Sequence, residues 1–352
     1  MKSLGVGRWF ISMRGVVGVA LALIGTGVLY QAVGLQRARR RFLPPGELVD
    51  VGGHRLHVVC RGGGSPVVVL ESGIAASSLS WARVQPDIAS FTRACAYDRA
   101  GLAWSDASSC PRTFTRIVEE LGAVIAHGAR GERVILVGHS FGSFVVRAYA
   151  AAHPDHVAGI VLIDPATEWL TITPARQRMM RGGQQLSRIG AVLAHVGVVR
   201  ACLALLTGGV PGAPRRFVKI FGPTAAGTLE RLVGEVRKLP PEVHPAVQAL
   251  WCQPKCFRAM AEHLVALERE GASLLTAPPH ASIPVVVISS RGQPAEEVAA
   301  HRQLANSSMS GRHVIAAQSG HWIQFDEPEL IVDAVKELVN WSRSGSRSMG
   351  PT

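Results

Sequence analysis

Four consecutive strand-forming residues, Val134-Ile135-Leu136-Val137, run without a spacer into Gly138-His139-Ser140-Phe141-Gly142, and a helical pattern follows to Ala152. A short continuous apolar run suits a strand buried on both faces, the kind found in parallel sheets covered by helices. A strand that feeds a helix directly forces the residue between them into a strained turn. Gly138 and Gly142 relieve the crowding on either side of Ser140. Such a turn lifts the Ser140 hydroxyl above the sheet, and the helix N-terminus beneath it favours developing negative charge. The bland alternative is a glycine-rich strand–helix turn with an incidental serine.

The same alternation extends along the chain. Residues 47–51 and 54–60 flank Gly52-Gly53 and read as a hairpin. Pro66-Val67-Val68-Val69-Leu70 is another buried strand, and Thr92 to Tyr97 a further one. Between Arg112 and Ala129 the residues Ile117, Leu121, Val124 and Ile125 share a helical face. His156 to Ile163 and Ile283 to Ile288 are strands, Ala295 to Ala305 a helix, His313 to Ala316 a strand and Pro328 to Trp341 a closing helix. Buried strands alternating with amphipathic helices predict an α/β protein with a doubly wound, mostly parallel sheet. From Thr167 to Pro279 clear strands disappear; this helix-rich stretch carries 14 Lys/Arg against 7 Asp/Glu and reads as an insertion. The expected layout is an N-terminal segment 1–14, a membrane span 15–36, a linker 37–46, a core 47–166 and 280–342, a helical cap 167–279 and a disordered tail 343–352.

The span rests on charge. No charged residue occurs between Arg14 and Arg37, and about 20 apolar residues cross a bilayer as a helix. Arg37, Arg39, Arg40 and Arg41 follow in place of a small-residue cleavage site, so the segment reads as an uncleaved anchor of a single-pass membrane protein. Three basic residues precede the span and four follow it, a one-charge lean toward a cytoplasmic catalytic domain. The whole chain has a formal net charge of +12 over 352 residues. With no zinc spacing and no RNA- or DNA-binding motif beside it, this charge points to an anionic membrane rather than to nucleic acid. Cys60 and Cys95 sit in apolar runs and read as small buried hydrophobes, with a disulfide open if the domain is exported. Cys252 and Cys256 lack the second ligand pair that zinc requires.

A serine hydroxyl is a weak nucleophile at neutral pH and needs a base within hydrogen-bond reach. His321, in Ser319-Gly320-His321-Trp322, follows the last strand, where the base stands in a Ser–acid–His chain order. His139 flanks the nucleophile and reads as packing support. His54, His57, His153, His156 and His313 read as structural. Two backbone N–H donors are needed for the oxyanion. Phe141 supplies one and Ile74 the other, in Glu71-Ser72-Gly73-Ile74, where Gly73 allows close approach.

These residues together with Tyr97-Asp98-Arg99-Ala100-Gly101 and Trp104-Ser105-Asp106 make residues 47–342 resemble the α/β-hydrolase fold family. The resemblance implies an eight-stranded sheet, a Ser–acid–His triad, a cap inserted after strand six and no metal or organic cofactor. It implies a bracing role for Asp98 and Arg99 near the active site, and N-terminal spans occur in this group. Two departures stand out. Ala103 occupies a place usually held by glycine. The acid usually found after strand seven is missing, since Ser290-Arg291-Gly292-Gln293 carries no carboxylate. Asp164, ending strand six, is the preferred substitute, with Glu297 or Glu296 as alternatives and a plain turn aspartate as the bland reading. The expected function is hydrolysis of ester or related acyl bonds through an acyl-enzyme, on a small and lipid-like or anionic acyl substrate. Epoxide hydrolase and dehalogenase chemistry would need Asp in place of Ser140. A cofactor-free haloperoxidase, a carbon–carbon bond hydrolase and a non-catalytic, membrane-tethered binding protein are the alternatives. Oligomeric state is not encoded in any of these features.

Overall fold

The computed structural model describes residues 13–167, 173–207, 235–274 and 281–345. It opens with α1 (Met13–Arg41), followed by β1 (Glu47–Asp50), β2 (Arg55–Arg61) and β3 (Val67–Glu71). Next come α2 (Gln85–Ala89), β4 (Ala94–Tyr97), α3 (Phe114–Ala129), β5 (Val134–His139), α4 (Phe141–Ala152) and β6 (Val157–Ile163). Helices α5 (Pro174–His195), α6 (Val198–Thr207), α7 (His244–Trp251) and α8 (Pro254–Leu274) form the described part of the insertion. The chain closes with β7 (Val285–Ser289), α9 (Ala295–Asn306), β8 (Gly311–Ile315), α10 (Ile323–Asp326) and α11 (Pro328–Ser344).

Eight strands form one sheet in the order β1-β2-β4-β3-β5-β6-β7-β8. Strand β2 runs antiparallel to β1 and β4, and all the later pairings are parallel. The continuous apolar runs are what this sheet requires, because β3, β5, β6 and β7 are buried along their whole length. Successive side chains leave opposite faces. Val67 and Val69 therefore join a core with Ile117, Leu121 and Phe144 of α3 and α4, while Val68 and Leu70 join one with Ile88, Val335 and Leu338 of α2 and α11. Helix α3 starts where Thr113 Oγ1 accepts from Arg116 N at 3.1 Å, and it stops where Arg130 turns left-handed.

Several boundaries differ from expectation. Helix α1 continues to Arg41, so residues 37–41 are helical and the linker starts later. Its basic last turn, Arg39 to Arg41, complements the helix dipole and favours that continuation. Helix α11 runs to Ser344, into the expected tail; the tail beyond Gly345 lies outside the described residues, as does most of segment 1–14. The reading of Cys60 and Cys95 as simple buried hydrophobes is corrected: they form a disulfide. The antiparallel register of β2 and β4 sets them directly opposite one another. Cys252 and Cys256 flank the start of α8, and their thiols donate to Gln248 O at 3.0 Å and Leu250 O at 3.3 Å. Ala103 has a φ of 36°, a left-handed conformation that costs an L-residue energy and suits glycine.

The fully buried Phe144 packs its ring against Phe114 and Phe141, centroids 6.5 and 6.4 Å away, beneath the β5–α4 turn. Phe144→Ala is expected to lower stability by about 3–5 kcal/mol, read as a fall in the urea-unfolding midpoint relative to the unchanged chain.

Candidate active site

Ser140 joins β5 to α4 with φ 51° and ψ −116°, a conformation rare outside glycine. Surrounding geometry holds it there. Ser140 N donates to Ile163 O at 2.9 Å, and Ser140 O accepts from Ser143 Oγ at 2.6 Å. The two flanking glycines have no room for a side chain. A Cβ on Gly138 would fall 2.8 Å from Gly142 O, and one on Gly142 would fall 2.5 Å from Glu71 O.

Asp164 follows β6 directly and is also left-handed, with φ 39°. Its N–H donates to Ile288 O at 2.7 Å, continuing the β6–β7 ladder by one residue. Oδ2 accepts from His321 Nδ1 at 2.7 Å. Oδ1 accepts from Ser290 N at 2.9 Å and from Gln293 Nε2 at 2.9 Å. Gln293 Nε2 also donates to Ser290 Oγ at 3.1 Å. The carboxyl is 1 % exposed. Burial by itself disfavours its charge, but the His321 hydrogen bond and charge, with the Ser290 and Gln293 donors, pull its pKa down to about 2. An ionised Asp164 accepts the proton on His321 Nδ1 and leaves Nε2 as the basic nitrogen. Of the other two carboxylates, Glu296 is exposed and Glu297 half-buried, both on the first turn of α9. Neither is a partner of His321, because Pro294 turns the chain into α9 and carries both away from Asp164's place.

His139 and His321 lie ring to ring, with centroids 4.8 Å apart. His139 Nε2 donates to His321 O at 2.8 Å, and His139 Nδ1 accepts from Gln324 Nε2 at 3.3 Å. Burial, reinforced by the neighbouring His321 charge, pushes the His139 pKa down to about 3. It is therefore a neutral prop for the His321 backbone. Ser140 Oγ and His321 Nε2 are not hydrogen-bonded to each other. Behind Asp164, His301 Nε2 donates to Pro165 O at 2.8 Å, and Ser289 Oγ bridges His301 Nδ1 and His313 Nε2 at 2.7 Å each.

The loop after β3 faces the elbow. A Cβ on Gly73 would come within 2.8 Å of His139 Nδ1 and 3.5 Å of Ser140 Cβ. Arg99 grips this loop from behind: its guanidinium donates to Ser72 O, Gly73 O and the Glu71 carboxylate. A trans peptide sets N–H opposite C=O, so holding Gly73 O on Arg99 turns Ile74 N–H the other way. Phe141 N–H, at the first position of α4, has no carbonyl one turn back to bond. Tyr97 Oη also donates to Glu71, and burial raises the Glu71 pKa to about 7 against the pull of Arg99. Asp98 accepts from Ser78 N at 2.7 Å and from His57 Nδ1 at 2.9 Å. Both residues thus brace loops. On the cap side a small cleft is lined by Ala76, Leu79, Leu239, Trp251, Trp322 and Phe325.

Sequence reading missed Gln293, Ser290 and Gln324. The available signal was that the acid-free stretch 290–293 is rich in donors, which suits holding a carboxylate that lies elsewhere.

This sheet order, with a strained strand–helix turn facing an Asp–His pair at the same strand ends, defines the α/β-hydrolase fold. Residues 66–188 match the family model described as alpha/beta hydrolase fold. The chain has the α/β-hydrolase fold. It is 32 % identical over 117 residues to the Bacillus subtilis protein YqjL, a match covering 33 % of this chain and 46 % of that one. It is 30 % identical over 130 residues to a haloalkane dehalogenase of Sphingobium indicum, covering 35 % and 44 %. The chain spans less than half the length of either relative in these matches. A solved esterase from Thermogutta terrifontis superposes with a TM-score of 0.60 at 17 % identity, over 84 % of this chain and 97 % of the esterase.

The depressed pKa of Asp164 has a sign. Its contribution to stability is full above the unfolded-state value near 4 and is lost as pH falls toward about 2. Asp164→Asn is expected to cost on the order of 2 kcal/mol at pH 6, with the gap to the unchanged chain closing between pH 4 and 2 in chemical unfolding. A gap independent of pH would contradict this.

Proposed function

We propose that this chain is a membrane-anchored serine hydrolase that cleaves ester or related acyl bonds through an acyl-enzyme. The single observation carrying the reading is the His321 Nδ1–Asp164 Oδ2 hydrogen bond of 2.7 Å, formed at the strand ends that also present Ser140. In the proposed reaction His321 Nε2 takes the Ser140 proton as Oγ attacks the acyl carbon. The Asp164 carboxylate stabilises the imidazolium that results. Amides of Phe141 and Ile74 receive the negative charge on the tetrahedral oxygen. His321 then returns the proton to the leaving alcohol, and a water activated by the same nitrogen releases the acid.

Ser140 argues against the chemistry of the dehalogenase relative, whose class would need a carboxylate in its place. The non-catalytic alternative drew its support from a missing acid, and the Asp164–His321 hydrogen bond favours the catalytic reading over it. A haloperoxidase or carbon–carbon bond hydrolase would use the same three side chains, so substrate profiling separates these from an esterase. The lining of this cleft is mostly apolar, in keeping with a lipid-like acyl substrate.

Helix α1 is long and apolar enough to cross a membrane, and we read it as the anchor. The Cys60–Cys95 disulfide fits an oxidising compartment and therefore a catalytic domain on the exported side. It outweighs the one-charge lean toward the cytoplasm.

Ser140→Ala is expected to abolish labelling by a fluorophosphonate probe and to lower p-nitrophenyl ester turnover by about 10⁴-fold or more. Asp164→Asn should retain the fold yet lose about 10⁴-fold in kcat. Undiminished turnover in Ser140→Ala would overturn the assignment.

A further inference from the structure

Helix α1 meets the rest of the protein along one stripe. Among its described side chains Gly27, Gln31, Gly34, Leu35 and Ala38 are buried or half-buried, spaced so that they share a face. Gly27 lies against the corner where α5 bends by 89° into α6. A Cβ on Gly27 would come within 2.2 Å of Val196 O, and one on Gly197 within 2.6 Å of Gly27 O. One turn on, Gln31 Nε2 donates to Cys252 O at 2.8 Å, and Gln31 Oε1 accepts from Arg200 Nε at 2.9 Å. Trp104 Nε1 donates to Phe42 O at 2.9 Å and holds the end of the helix to the core.

Among the described residues of α1, only 15–26 form a stretch exposed on every side. At 1.5 Å per residue this free stretch is about 18 Å long. The hydrocarbon layer is about 30 Å thick. With the charged Arg14 at the near interface, a helix that spans it places roughly eight further residues in hydrocarbon, to about Gly34. Those residues include Gly27, Gln31 and Gly34, and the cap corner is docked on them.

The corner's own surface fits that depth. Ile189 is 55 % exposed, Val192 63 % and Leu205 39 %; the Gln31–Arg200–Cys252 set faces inward, and the exposed His195 at the corner is paired with Arg258 at 3.3 Å. This apolar surface continues that of α1, where Leu23, Ile24 and Val28 are also exposed. Arg188 is exposed on α5, with a stem long enough to reach the anionic interface, and the exposed Arg181 donates to Glu268 at 3.0 Å.

We propose that the α5–α6 corner of the cap is seated in the hydrocarbon layer beside α1, with lipid acyl chains covering Ile189, Val192 and Leu205. This rests on the reading of α1 as a membrane span. The cap is then part of the membrane-embedded body, and its depth is set by the Gly27–Gly197 contact.

The test uses the full chain in vesicles of phosphatidylcholine and phosphatidylglycerol, in a Cys110→Ser/Cys202→Ser background. A nitroxide is attached at Val192→Cys, at Ile189→Cys as a second reporter, at Leu23→Cys on α1, and at Met309→Cys on the exposed core surface. Collisions with oxygen, which partitions into hydrocarbon, are compared with collisions with a water-soluble nickel chelate. The expected result is an oxygen-to-nickel ratio at 192 and 189 that is several-fold above that at 309 and matches that at 23. A water-like ratio at 192 and 189 with a hydrocarbon-like ratio at 23 overturns the seated corner and leaves the anchor standing. A water-like ratio at 23 overturns the anchor and the seating together. Shielding from both reagents, with spin–spin broadening that disappears on dilution by unlabelled chain, means that a second copy covers the face, and also overturns it.

Discussion

A carboxylate buried to 1 % exposure is stable as an anion only if its oxygens are fully engaged, and the site is organised around meeting that condition for Asp164. His321 occupies one oxygen, and the Ser290 amide and Gln293 side chain serve the other. The arrangement depends on register. Strand β5 pairs with β6 so that His139 lies beside Ile163, and β6 pairs with β7 so that Ile163 lies beside Ile288. Ser140, Asp164 and Ser289-Ser290 therefore leave the sheet side by side, at the carboxyl ends of parallel strands. Left-handed φ values at Ser140 and Asp164 are a local cost that this convergence imposes.

A second buried set of charges stabilises the facing loop. Arg99 holds two consecutive carbonyls, Ser72 O and Gly73 O, and is itself neutralised by Glu71. Such a pair contributes little net stability once desolvation is counted. Its effect is geometric: the loop cannot rotate its peptide planes without depriving buried guanidinium N–H groups of their carbonyl acceptors. Amide dipoles fixed in advance stabilise developing charge without reorganising. Arg99 also lies over the Phe141 ring, 5.0 Å from its centroid, so one side chain braces both sides of the proposed oxyanion site.

The fold was legible in the chain because buried parallel strands need unbroken apolar runs, and the runs at 67–70, 134–137 and 157–163 have little else they can be. The cap was legible only as a loss of that pattern. The Cys60–Cys95 bond was not legible, since 35 residues separate the two and only the antiparallel β2–β4 register sets them opposite each other. Glu296 and Glu297 looked nearer than Asp164 to the usual acid position along the chain, yet the turn at Pro294 takes them into α9. The contact of α1 with the cap was equally hidden, because a glycine in an apolar helix carries no sign of what approaches it.

By itself the sequence determined the sheet, the strained elbow at Ser140 and the placing of a histidine after the last strand. Local rules govern these features: apolar periodicity for the strands, small neighbours for the turn, and chain order for the histidine. Only the tertiary structure decided which carboxylate meets His321, which donors hold it, that two cysteines bond and where α1 docks. Those are choices among residues far apart in the chain, and strand register and helix packing make them, because neither is written in any one segment.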